Sequence, residues 1–130
     1  MAGLRAYSSK TQTVFLTLRD DDADSGLALI SVSLTEGKVL TNVPLADTAT
    51  VLMWDDAAGV LYAWVATENA AGVLTTVDVA TGKRLKTVAT FPTLSGNCMS
   101  GAYSVLVGQK VYSTMINISA VGQVTTLSAL

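Results

Sequence analysis

The sequence predicts an all-β chain assembled from a repeated four-stranded antiparallel unit. Three observations carry that expectation. The chain resembles itself at intervals of 45 to 50 residues. Its apolar residues fall in short β-branched and aromatic runs bounded by Gly, Asp, Asn and Ser. Segments with a sustained helical period are nearly absent. A fixed interval of this size is the signature of a repeat architecture.

Taken in order, strands are expected near 3–8, 12–19, 27–34, 38–45, 49–54, 60–67, 73–79, 84–91, 102–107, 110–116 and 123–129. Val14-Phe-Leu-Thr-Leu and Gly26-Leu-Ala-Leu-Ile-Ser-Val open the first unit, and Glu36-Gly37-Lys38 turns the chain into its last strand. The second unit is the clearest. Val60-Leu-Tyr-Ala-Trp-Val, Gly72-Val-Leu-Thr-Thr-Val and the strand after Ala80-Thr-Gly82-Lys read as three strands joined by turns. Asp55-Asp56-Ala-Ala-Gly59 and Ala80-Thr-Gly82-Lys supply glycines able to take positive φ and Asp side chains that bond nearby backbone, as hairpin turns require. In the third unit Val111-Tyr112 and Gly122-Gln-Val-Thr-Thr-Leu both fall 50 residues beyond Leu61-Tyr62 and Gly72-Val-Leu-Thr-Thr-Val. Between the first two units the offset reads 46 over Val14 and Gly26 and 45 at Gly37-Lys38, a slip of one inserted residue.

A four-stranded repeat of this period matches the blade of a β-propeller, in which each twisted sheet buries both faces against its neighbours. Covering both faces also explains why half of the residues are apolar and why runs such as Leu27-Ala-Leu-Ile are tolerated without strict alternation. The units are expected at 1–46, 47–92 and 93–130 within a single all-β domain. A β-sandwich built from the same strands is the alternative architecture.

Asp55-Asp56-Ala-Ala-Gly-Val-Leu-Tyr-Ala, followed by Val77-Asp78-Val79-Ala80-Thr81-Gly82-Lys83, resembles the repeat of the YVTN and quinoprotein-like β-propellers. Val32-Ser33-Leu34-Thr35-Glu36-Gly37-Lys38 follows the same pattern less closely. The resemblance implies propeller architecture and no single activity. About three blades fall short of the four to eight of closed propellers. Self-association, completion by another polypeptide, or membership of a longer propeller would each resolve the shortfall.

Composition narrows the chemistry. The chain has no histidine, the commonest general base and metal ligand, so histidine-dependent triads and metal sites are excluded. One cysteine, Cys98, excludes an intrachain disulfide and a cysteine-rich zinc site, and no glycine-rich phosphate loop is present. Cys98 is expected in a loop, Ser95 to Gly101. A net charge of −2 without a basic cluster argues against nucleic acid, and no apolar run approaches the ~20 residues of a membrane-spanning helix.

Asp20, Asp22 and Asp24 stand at alternate positions in Asp20-Asp-Asp-Ala-Asp-Ser-Gly26, a spacing that would let carboxylates turn toward one Ca²⁺. The stretch departs from the EF-hand pattern at Ser25 and in lacking a closing Glu. Its other reading is a solvated hairpin loop whose charge discourages edge pairing. The corresponding loops, Glu68–Gly72 and Asn117–Gly122, lack the acids. Asp55 and Asp56 are expected to serve their turn, and Trp54, Trp64, Met53, Met99, Met115, Tyr62, Tyr103 and Tyr112 to fill space between sheets. The functional expectation is a non-catalytic interaction or scaffold module, completed by a second copy or a partner chain. A fragment of a ligand- or metal-binding propeller enzyme and a structural subunit of a large assembly are the alternatives.

Overall fold

The computed structural model describes the backbone at residues 4–65, 72–91, 98–107, 110–117 and 123–128, and side chains at 4–65, 73–90, 106 and 107. Among the described residues eleven strands form three antiparallel sheets, each assembled in chain order. The first holds β1 (Arg5–Ser8), β2 (Thr13–Arg19), β3 (Leu27–Ser33) and β4 (Lys38–Pro44). The second holds β5 (Ala49–Asp55), β6 (Val60–Val65), β7 (Gly72–Val77) and β8 (Arg84–Phe91). The third holds β9 (Cys98–Val107), β10 (Lys110–Asn117) and β11 (Gln123–Ser128). No helix long and apolar enough to cross a membrane occurs among the described residues.

The sheets stand side by side through their first strands: β1 lies against β5, and β5 against β9. The middle sheet is therefore covered on both faces along β6 and β7, while its outer strand β8 is exposed from Arg84 to Thr87. Every residue from Leu61 to Val65 is buried. One core gathers Phe15 and Leu29 of the first sheet with Leu52, Leu61, Ala63, Val65 and Val77 of the second. Another gathers Met53, Tyr62, Trp64 and Leu74 on the opposite face of the second sheet, with Leu106 of β9 packed against them. A two-layer sandwich has one interior between two sheets. Successive sheets with an interior on each side of the middle one are the propeller arrangement.

Two sequence expectations are corrected by the backbone. Cys98 is the first residue of β9, paired with Asn117, and not part of a loop. The offset of 46 read over Val14 and Gly26 is wrong for the first hairpins. Ser8↔Thr13 and Asp55↔Val60 each close a four-residue turn, so Phe15 occupies the place of Tyr62, an offset of 47. Beyond the next loop the offset is 45, since the turns at Gly37 and Gly82 are equivalent: each glycine N–H bonds the carbonyl four residues back, at Ser33 and at Asp78. Nine residues separate the paired Leu18 and Ala28, against seven between Val65 and Val73. The acidic loop thus carries two extra residues, and 46 is the mean of two true offsets. A shift of one residue moves a side chain to the opposite face of a sheet, so the correction decides which residues meet.

Candidate interaction surface

Counting back from the turn that closes each first hairpin places the same two pairs in all three sheets. The first pair is Tyr7↔Val14, Trp54↔Leu61 and Leu106↔Val111. The second is Ala6↔Phe15, Met53↔Tyr62 and Val105↔Tyr112. Successive side chains alternate across a sheet, so the two pairs occupy opposite faces. We call the face bearing Phe15 and Tyr62 the forward face, since it meets the next sheet, and the face bearing Tyr7 and Trp54 the rear face.

Forward meets rear at both joins in the chain. At the first, Trp54 stacks on Phe15 with ring centroids 4.6 Å apart and planes inclined by 27°, a geometry favoured for aromatic pairs. At the second, Leu106 packs into the cluster that holds Tyr62. The Tyr62 hydroxyl has no hydrogen-bond partner among the described residues. Burial, with the nearby Asp55 charge a smaller cause, pushes its pKa up.

A polar clasp locks the first join from above. The Asp56 carboxylate leaves its own turn and accepts hydrogen bonds from Ser8 Oγ at 2.5 Å, Ser9 N at 3.0 Å and Ser9 Oγ at 2.9 Å. Trp54 Nε1 donates to it at 2.7 Å, which fixes the indole over Phe15. The Ser8 bond above all, aided by Trp54 and Ser9 and opposed by partial desolvation, holds its pKa down at about 2. Asp55 behaves as expected, accepting from Ala57 N at 3.0 Å and Ala58 N at 3.1 Å within the turn. The sequence gives no sign of the different role of Asp56, because its partners lie 47 and 48 residues away.

The rear face of the first sheet has no sheet against it among the described residues. It presents Tyr7, Val14, Leu16, Leu18 and Val32, all at least partly exposed, around the buried Ile30. Tyr7 retains 46% of its exposure at the position where Trp54 is stacked away. The turn glycines repeat the contrast. A Cβ on Gly82 would lie 2.1 Å from the Pro44 carbonyl oxygen, and the Gly82 carbonyl accepts Ala46 N at 2.9 Å, so this turn is seated on the first sheet. The equivalent Gly37 meets nothing within 4 Å.

The remaining candidates are placed as follows. Asp20, Asp22 and Asp24 lie in the β2–β3 loop, where Asp20 Oδ1 accepts from Asp22 N at 3.0 Å, and Asp21 pairs with Arg19 at 2.8 Å on the exposed surface. Among the described residues no three Asp, Glu, His or Cys side chains are gathered as a metal site. The loops compared with it lie outside the described residues apart from Gly72 and Asn117, the end residues of β7 and β10. Trp64, Met53 and Tyr62 are core residues, as expected, and Trp54 is a half-buried join residue. The side chains of Met99, Met115, Tyr103, Tyr112 and Cys98 lie outside the described ones. A depression between Leu45, Ala63, Val77 and the Asp47–Arg84 ion pair is too narrow to hold a water molecule.

No protein-family model matches the sequence, and no curated protein matches it. Among solved structures the chain is similar to Bacteroides ovatus xyloglucan PUL GH43B, a β-propeller enzyme. The TM-score is 0.55 and the identity 16%, over 88% of this chain and 23% of that one. It is also similar to Saccharomyces cerevisiae Sqt1, with a TM-score of 0.47 and 16% identity over 96% of this chain and 31% of that one. The chain therefore spans less than a third of the length of either structure. The first likeness, joined to the forward-to-rear packing of successive four-stranded sheets, defines the chain as a partial β-propeller. At such identity it speaks for fold alone.

Proposed function

We propose that the chain is a non-catalytic interaction module, a run of propeller blades completed from outside through the rear face of its first sheet. The observation that supports this reading is the contrast between Tyr7 and Trp54. The two hold equivalent positions, and one is stacked under a neighbouring sheet while the other is 46% exposed on an apolar face. Contiguous apolar surface rimmed by polar residues marks protein interaction sites. Arg5, exposed on β1, and the exposed Asn42 of β4 stand on the rim.

The test is a photo-crosslinking residue in place of Tyr7 during expression, with the same residue at exposed Lys10 as control. Protein adducts specific to position 7, and lost on adding Leu16→Glu, are expected. Equal adducts at both positions, or none, would remove the surface from consideration.

A further inference from the structure

We infer that the outer strands β4 and β8 carry a built-in guard against pairing with a foreign strand, made of a bulge at the same place in each and of the lysines beside it. The turns at Gly37 and Gly82 are equivalent, and in both sheets the third residue after the glycine has no partner across the ladder. Val39↔Val32 and Thr41↔Ser31 pass over Leu40, and Arg84↔Val77 and Lys86↔Thr76 pass over Leu85. A register break that recurs at one place in two sheets belongs to the repeat itself. β8 adds a second break, where Thr87↔Thr75 and Ala89↔Leu74 pass over Val88.

The two edges need such a guard. Among the described residues β4 is paired only with β3 and β8 only with β7, so each turns a row of backbone donors and acceptors outward, a template for another strand. Their side chains add to the hazard, since Val39 and Leu40 are exposed on β4 and Leu85 is 64% exposed on β8. A bulge bends the strand and increases its twist, so a second strand laid along the outer side loses register. Lysine acts in the same sense, because its charge must shed water when the edge is covered. Lys38 and Lys83 follow the two glycines and Lys86 follows Leu85, all three exposed. The joins between sheets run through β1, β5 and β9, away from both outer strands, so a sheet added at either end of the row leaves these edges as they are. The guard keeps the outer rim out of association and is independent of the interaction reading of the rear face.

Sedimentation velocity of the purified 130-residue chain and of a variant with Leu40 deleted tests this at matched concentrations. The deletion makes Val39 and Thr41 neighbours opposite Val32 and Ser31, which are already neighbours on β3, so the ladder becomes regular and no other pairing shifts. It also removes an exposed leucine, so surface hydrophobicity alone would lower association. Expected instead is a gain: species of at least twice the mass of the unaltered form, growing with concentration and lost on adding Val39→Lys. Lys83→Thr combined with Lys86→Thr changes no backbone and should also produce larger species, which keeps the outcome readable if the deletion variant fails to fold. A folded variant of either kind that sediments like the unaltered chain overturns the inference, as does a gain in the deletion variant that Val39→Lys leaves in place.

Discussion

At the scale of single residues, Asp56 shows how an exposed-looking turn acid comes to hold two sheets together. Four hydrogen bonds reach its two oxygens, all of them charge-assisted when the group is ionised. They favour the carboxylate over the acid and lower the pKa from an ordinary 3.8 to about 2. A carboxyl group with a depressed folded-state pKa adds stability that is fully present above its unfolded value and disappears as pH falls toward the folded one. Asp56→Asn is therefore expected to lower the melting temperature well above pH 3.8. The gap to the unaltered chain should close between 3.8 and about 2. Thermal melts of both proteins across that range measure it, and a gap independent of pH would show that packing, and not the charge, holds the join.

At the scale of elements, turns and strands were legible in the sequence because their causes are local. β-branched runs, Asp and Gly at fixed places, and the repeated Gly-Lys turn located all eleven strands to within a few residues. The third-sheet offset of 50 holds in the register of β10 against β11. What stayed hidden was the pairing of faces. The acidic loop inserts two residues between the hairpins, and the offset of 46 read across it averages that insertion away, placing Phe15 beside Leu61 when its counterpart is Tyr62. The join residues Trp54 and Phe15, and the clasp at Asp56, follow from register and not from composition. Cys98 was misplaced for a related reason: its Gly and Ser neighbours look like a loop, whereas ladder pairing with β10 extends β9 through them.

The turn at Gly82 turns this into an element-scale prediction. Gly37 and Gly82 share positive φ, +64° and +73°, and a side chain in that region costs about 1–2 kcal/mol. Gly37→Ala should show that backbone cost alone. Gly82→Ala adds a collision with the Pro44 carbonyl and is expected to destabilise by at least ~1 kcal/mol more, within the range of overpacked sites. Denaturant melts of the two variants compare them directly, and equal losses would mean that the turn is not seated on the first sheet. The acidic loop gives a second expectation. Its backbone is already closed, with Asp20 N bonding Gly26 O at 2.9 Å and Gly26 N bonding Ala23 O at 2.9 Å. Melting with and without excess Ca²⁺ should coincide; a rise in melting temperature would assign Asp20, Asp22 and Asp24 to a cation, since a ligand bound only by the native state must stabilise it.

At the scale of the molecule, each sheet is made of local hairpins and touches only its neighbours, so stability should be distributed along the row of sheets as in other repeat proteins. Among the described residues the middle sheet is the one with two covered faces. Leu61 to Val65 are 0–4% exposed, and their strand is bonded on both edges, to β5 and β7. β4 lies at the outer edge of the first sheet, paired only with β3, and Val39 and Leu40 remain 58% and 47% exposed. Opening β4 needs no other sheet to move, whereas exposing β6 requires both joins to separate. Hydrogen exchange should therefore protect the amides of Leu61–Val65 most strongly, near the limit set by global unfolding, with the bonded amides of Lys38–Pro44 exchanging faster by more than ~10-fold. The ordering holds whether or not a partner covers Tyr7, because β4 is an edge strand in either state. If β4 and β6 exchanged at one common rate, the sheets would open as a single cooperative unit, and the description of the chain as a row of separately stable blades would have to be abandoned.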